Sequence, residues 1–244
     1  MYSNIRIVLV ETSHPGNIGG VARAMKNMCL ENLYLVNPVI FPHSEASARA
    51  SGADDLLGKA TVCTSLDEAL QDCKLVLGAS ARSQRRISWP TVDTRQCGEL
   101  VASTVGKGQV AIVFGRENSG LTNEELAHCH YLVHIPCNPE FSSLNLAAAV
   151  QVISSEIFQS LQQADEAEVN DEVEYASASD MDRFYSHLQQ TLIDVEFLNS
   201  SHPDKLMQRL RRLFNRARLD KRELSTLRGI LTEVNKKTIK NEHG

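Results

Sequence analysis

Short apolar, β-branched runs punctuate the first two-thirds of the chain: Ile5–Val10, Leu33–Val36, Leu75–Leu77, Val110–Phe114 and Leu132–Ile135. Apolar at consecutive positions, they predict strands buried on both faces, the pattern of a parallel sheet. Between them lie stretches of helical spacing, Ile18–Met28, Leu66–Gln71, Cys97–Val101 and Leu144–Leu161. Strands alternating with helices predict an α/β fold, a parallel sheet with helices on both faces. Thr122 and Glu125 have the form of a capping box and predict a short helix after Val110–Phe114. The stretch from Leu144 is apolar on more than one face (Leu146, Ala147, Ala149, Val150, Val152, Ile153, Ile157), which implies burial in the core or against a second subunit.

Periodicity then divides the chain into three parts. The α/β pattern covers residues 1–161. Residues 162–182 carry Asp165, Glu166, Glu168, Asp171, Glu172, Glu174, Asp180 and Asp182 with no Lys or Arg, and read as an acidic, solvated linker. Residues 183–244 show helical spacing three times: Phe184, Leu188, Leu192 and Val195; Leu206, Leu210, Leu213 and Ala217; Leu224, Leu227, Leu231 and Val234. Two or three amphipathic helices follow, with Pro203 tolerated near the start of the second. So short a unit makes a marginal core by itself, and a small or partly docked extension is expected.

Composition changes this picture in one respect. The net charge of −5, from 25 basic and 30 acidic residues, argues at first against nucleic acid. From Lys205 to Lys240, however, twelve basic residues face only Asp220, Glu223 and Glu233, a local charge of +9. Solvated helix faces explain this blandly; a basic arm that grips RNA phosphates explains it functionally, with Arg209, Arg212 and Arg216 among its contacts. No apolar run is long enough to span a membrane, no signal peptide is recognised, and six scattered cysteines without a C-x-x-C pair suggest reduced thiols in the cytoplasm.

The common nucleotide and hydrolase signatures are absent: there is no G-x-G-x-x-G, no P-loop and no G-x-S-x-G elbow. His128-Cys129-His130 lacks metal-ligand spacing, and no metal is expected. Three other segments stand out. In Asn17-Ile18-Gly19-Gly20-Val21-Ala22-Arg23 the glycines allow a tight turn, the helix N-terminus favours an anion, and Arg23 is expected to share a face with Asn17. Phe114-Gly115-Arg116-Glu117-Asn118-Ser119-Gly120-Leu121 follows a strand, at the ligand-binding edge of an α/β sheet, with Glu117 able to orient a cation. Ile135 to Ala147, containing Ser142, Ser143, Leu144 and Asn145, offers amides for an adenine edge. Taken singly, these are a surface arginine, a capping turn and an N-cap.

In this order and spacing, Asn-x-Gly-x-x-x-Arg, Phe-Gly-x-Glu-x-x-Gly-Leu and Ile-Pro…Ser-Leu-Asn-x-Ala resemble the motifs of the SPOUT methyltransferases, SpoU branch. The acidic segment and helical extension are similar to those of bacterial tRNA (cytidine/uridine-2′-O-)-methyltransferases acting on the anticodon loop. The resemblance implies a C-terminal trefoil knot, an S-adenosylmethionine cofactor, a homodimer formed through the methyltransferase domain, and tRNA as substrate, with position 32 the expected target; the alternatives are 2′-O-methylation of another tRNA position or of rRNA, and a non-catalytic RNA-binding protein of the same fold. It places the cofactor against Ala79, Ser80, Ala81, Gly115, Ile135, Ser142, Ser143 and Leu144. It assigns the 2′-hydroxyl chemistry to Arg23, with Asn17, Glu117, Ser143 and Asn145 around it. Glu117 is then expected to position Arg23, and Asn17 and Ser143 to align the ribose. Arginine's pKa above ~12 makes it a poor base, so phosphate binding and oxyanion stabilisation are equally physical roles. Helix Leu144–Leu161 becomes largely a dimer element. Arg82, Arg85 and Arg86 either form a solvated loop or touch tRNA phosphates, and Trp89 either stacks on a base or packs against the domain.

Overall fold

The computed structural model describes residues 1–80, 89–141, 143–164, 174–198 and 204–241. After a 3-10 turn at Tyr2–Asn4, the chain runs β1 (Ile5–Val10), α1 (Pro15–Asn27), β2 (Asn32–Val36), α2 (Ser44–Ala50), α3 (Asp54–Lys59), β3 (Thr61–Cys63), α4 (Leu66–Leu70) and β4 (Cys73–Ala79). It continues β5 (Thr91–Val92), α5 (Thr94–Val105), β6 (Gln109–Phe114), α6 (Asn123–Leu126), β7 (Tyr131–Val133) and α7 (Leu146–Ala164). Helices α8 (Ala178–Asp194), α9 (Asp204–Ala217) and α10 (Lys221–Asn241) follow.

All seven strands pair in parallel, in the order β3-β2-β1-β6-β4-β7-β5. Alternate side chains of β1 enter different cores. Ile5, Ile7 and Leu9 pack under α1, α5 and α7, whereas Val8 and Val10 face Leu66, Leu70 and Leu126 of α4 and α6. Every central strand is therefore apolar at consecutive positions. Helix α7 buries Leu146, Val150, Ile153, Ile157 and Leu161 within its own chain and packs against α1 and α5. One side of its apolar breadth thus serves the intrachain core, while Val152 is its exposed large apolar residue.

The two predicted boundaries of the acidic segment also move. Residues 162–164 still belong to α7, and α8 begins at Ala178 with Ser177 and Asp180 in a capping box. The three C-terminal helices have a core of their own around Phe184, Tyr185, Leu188, Met207 and Leu224, and α8 packs against β4. The seam carries several polar contacts. Asn215, 5% exposed, accepts the Tyr185 hydroxyl at 2.6 Å and donates to the Ala127 carbonyl at 2.9 Å. Arg218 donates to Thr104 at 3.1 Å and lies over the Tyr175 ring. Lys74 faces Glu174 at 3.5 Å.

His130 is sealed into this seam beside Lys74, Met181, Phe214 and Arg218, its Nδ1 accepting the Val76 N–H at 3.0 Å. Burial, and then the Arg218 charge, push its pKa down from 6.5 to about 4, against the opposing effect of the Val76 contact. The unfolded chain binds this proton below pH 6.5 and the folded one does not, so stability falls as pH drops from about 6.5 towards 4. The linked loss is on the order of 3 kcal/mol. Urea denaturation across that window is expected to show a falling midpoint for the wild type and a flatter profile for His130→Gln; equal slopes would disprove the linkage.

Candidate active site

A cleft of about 420 Å³ opens at the carboxyl ends of the central strands. It lies within the ~300–1,000 Å³ range of small-molecule sites. Of the residues predicted to hold a cofactor, Ala79, Ser80, Gly115, Ile135, Ser143 and Leu144 line it, as do Asn17, Glu117 and Asn145 from the predicted chemical group. Ala81, Ser142, Arg82, Arg85 and Arg86 lie outside the described residues. Trp89 is buried, 6% exposed, and packs with the second core rather than presenting its ring.

Three sequence-distant segments meet here through side chains. The Asn17 Nδ2 donates to Glu117 Oε1 at 2.9 Å, and the Asn145 Nδ2 donates to Asn17 Oδ1 at 3.0 Å. Asn145 Oδ1 in turn accepts the Ala147 N–H at 2.9 Å, capping α7. Glu117 also accepts the Ser13 N–H and hydroxyl at 3.2 and 3.0 Å, and the His14 N–H at 3.3 Å. Burial pushes the Glu117 carboxyl up; the bonds from Asn17, from its own loop backbone and from Ser13 outweigh it and hold the pKa below the usual carboxylate value.

Arg116, next to Glu117 and also lining the cleft, is a residue to which the sequence assigned no role. Its guanidinium makes paired contacts with Glu125 at 3.0 Å and with Glu11 at 2.9 and 2.8 Å. The Glu125 and then the Glu11 hydrogen bonds raise its pKa further, so it is a permanent cation already committed to two carboxylates. Arg116 and Gly120 close a hairpin in which Gly120 takes φ +67°. A Cβ on Gly115 would stand 2.2 Å from the Gly120 carbonyl carbon, so only glycine permits this turn. The Thr122–Glu125 capping box forms as predicted and orients the carboxylate that holds Arg116.

Two expectations fail. Glu117 does not touch Arg23; its oxygens are taken by Asn17, Ser13 and His14. Arg23 is exposed, does not line the cleft, and has no hydrogen-bond or ion-pair partner among the described residues. At 3.6 residues per turn, six residues carry it about 120° around the helix from Asn17, not onto the same face. Gly19 and Gly20 are also inside α1 rather than in a turn before it.

An α/β sheet with a polar cleft at its carboxyl edge defines a protein that binds a small organic ligand. Residues 4–155 match the SpoU rRNA Methylase family, and residues 179–243 match the C-terminal domain of tRNA methyltransferase TrmJ. The chain belongs to the SpoU methylase family. It is 56% identical over 238 residues to the tRNA (cytidine/uridine-2′-O-)-methyltransferase TrmJ of Photorhabdus laumondii, covering 97% of this chain and 98% of that one. Among solved structures, TrmJ from Z. mobilis ZM4 aligns with TM-score 0.82 at 31% identity, covering 94% of this chain and 98% of that chain. A probable methylase family protein from Haemophilus influenzae aligns with TM-score 0.66 at 41% identity, covering 97% and 98%.

Gly115→Ala is expected to abolish S-adenosylmethionine binding measured by calorimetry, while the far-ultraviolet circular dichroism keeps its α/β signature. Wild-type affinity in the variant would show that the hairpin does not shape the cleft.

Proposed function

We propose that this chain transfers a methyl group from S-adenosylmethionine to the ribose 2′-hydroxyl of a cytidine or uridine in tRNA, with the anticodon-loop position 32 as target. The observation that carries the reading is the meeting of Asn17, Glu117 and Asn145, from three separate motifs, along one wall of the cleft. The lining fits the cofactor: Phe114, Ile135, Leu144 and Leu146 offer apolar contact, and Ser80, Ser143 and the loop amides offer hydrogen bonds. The bound sulfonium supplies an electrophilic methyl. The protein's task is to bring the hydroxyl oxygen into line and stabilise the charge it develops. Asn17, with its orientation fixed at both ends, and Ser143 are placed to align the ribose. Glu117 anchors Asn17.

Arg23 supplies the remaining charge in this reading, acting across a homodimer: one chain's Arg23 serves the other chain's cleft. What supports this is its exposure, its lack of a partner among the described residues and its position outside its own cleft. Arg116, committed to Glu11 and Glu125, cannot substitute. The trefoil knot belongs to the same reading. It is supported by a path in which the chain leaves β6, passes beyond β4 to β7, and returns as α7 between α1 and α5.

Residues 1–161 would then carry the chemistry and the C-terminal helices the RNA contacts, in the cytoplasm. Among the described residues no helix is long and apolar enough to cross a membrane. Arg209, Arg212 and Arg216, with Lys205, recur at helical spacing on one face of α9. A different face, with Arg211 and Asn215, and Arg218 just past the end of α9, is used in docking: Arg211 pairs with Asp182 at 2.9 Å and lies over Tyr185.

Purified protein incubated with labelled methyl donor and unmodified tRNA is expected to yield a 2′-O-methylated pyrimidine at position 32, located by digestion and mass spectrometry. Base methylation, or no transfer, would refute the reading. Arg23→Ala is expected to lose turnover and keep cofactor affinity. Mixed with Gly115→Ala, it is expected to regain about a quarter of wild-type activity, since half the pairs of a two-fold dimer are mixed and each restores one site. No recovery would place Arg23 in cis.

A further inference from the structure

Phe141 is the most exposed large hydrophobic residue among those described, at 77%. Its backbone is nonetheless held. The Phe141 N–H donates to the Asn138 carbonyl at 3.0 Å, and the Glu140 N–H donates to Asn138 Oδ1 at 3.0 Å. Pro136 and Pro139 fix two further φ angles of the turn. The ring is therefore displayed by a closed turn, and the cost of ordering that turn is met before anything binds.

The turn's place gives the display a purpose. Cys137 and Ser143, on either side of Phe141 in sequence, both line the cleft. Two residues span at most ~7 Å, so the Phe141 backbone lies close to the cleft's lining, and its ring is exposed there. A nucleotide whose 2′-oxygen enters the cleft leaves its own base, or its neighbour's, at the cleft's rim. Bases of single-stranded loops are recognised by stacking on aromatic side chains. Glu140, exposed beside Phe141, disfavours a phosphate at this turn and leaves an uncharged base face as the fitting partner. Resting on the tRNA methyltransferase reading above, we propose that Phe141 is a positioning residue that stacks on a base of the acceptor loop, at or next to the methylated nucleotide.

The test is steady-state methylation of unmodified tRNA by the full chain and by Phe141→Ala, Phe141→Leu and Phe141→Trp. Loss of one base–aromatic stack is expected to raise KM for tRNA about tenfold in the alanine and leucine variants. Their kcat, KM for S-adenosylmethionine, circular dichroism and mass in solution stay as in the wild type. The Phe141→Trp variant keeps the wild-type KM, and its added fluorescence is quenched by tRNA. A leucine variant equal to wild type would overturn the proposal, because apolar bulk would then suffice. So would an alanine variant whose loss tracks a fall in solution mass, which would make the ring a contact between copies. Added fluorescence in Phe141→Trp that is indifferent to tRNA would overturn it as well. Absence of transfer by the wild type would overturn the functional reading itself, and this proposal with it.

Discussion

The hydrogen-bonded row from Glu117 through Asn17 to Asn145 is the constraint on which the site depends. Both ends of the row have only one chemical option. The Glu117 carboxylate, ionised, only accepts, and the Ala147 N–H only donates. Asn17 must therefore turn its amine to Glu117 and its carbonyl to Asn145, and Asn145 must turn its carbonyl to α7. Neither amide can flip without breaking two bonds. The same row ties the start of α1, the loop after β6 and the start of α7 into one wall. Segments about a hundred residues apart thereby hold a fixed distance through side-chain hydrogen bonds, with no disulfide among the described residues.

Beside that row the single guanidinium charge of Arg116 is more than balanced by two carboxylates. Arg116 sits between two carboxylates, one leaving β1 at Glu11, whose φ of +47° swings the chain out of the strand, and one capping α6. Helix α6 continues the connection outward, because Ala127 and Cys129, just past its end, receive the Asn215 amide of α9. The C-terminal unit is thus seated on the element that braces the cleft floor. Its basic residues divide accordingly: Arg211, Arg218 and Lys221 are paired with Asp182, Thr104 and Glu174, whereas Lys205, Arg209 and Arg216 lie exposed along another face of α9. The acidic segment is part of the same balance, since its residues Glu174 and Asp182 serve as those partners.

The pattern of the sequence revealed what is buried on two sides and concealed what is not. β1, β4 and β6 are central, so both faces are apolar and the runs are unmistakable. β3 is an edge strand with Thr61 and Val62 exposed, and β5 at the other edge has two residues; neither is long enough to show a period. Helix α2 buries only Ala46 and Ala50, too little contrast for an apolar stripe. The motif residues were recognisable by spacing, but their partners were not. Nothing in the sequence joins Glu117 to Ser13 rather than to Arg23, because that choice is made by helix angle and by the path of the loop. The roll of Arg23 about the α1 axis follows from 3.6 residues per turn, and it is the one geometric fact here that spacing alone already contained.

The glycines of the first motif show how packing sets the reach of the chemistry. Gly19 and Gly20 lie inside α1, where each costs about 1 kcal/mol relative to alanine in an exposed helix. A ligand-gripping turn does not explain them there. A Cβ on Gly19 would fall 2.0 Å from the Ala46 carbonyl oxygen, and one on Gly20 would fall 2.9 Å from the Ala147 side chain. The first lets α2 press onto α1, and the second lets the beginning of α7 do so. Ala147 is also the residue whose N–H Asn145 caps, one turn of chain from the Asn17 contact. A larger residue at position 20 would push α7 away by a fraction of an ångström or more, and a 3.0 Å bond between two short amides has no slack to follow. The helix gives up local propensity so that its neighbours come close, and that closeness lets Asn17 and Asn145 meet.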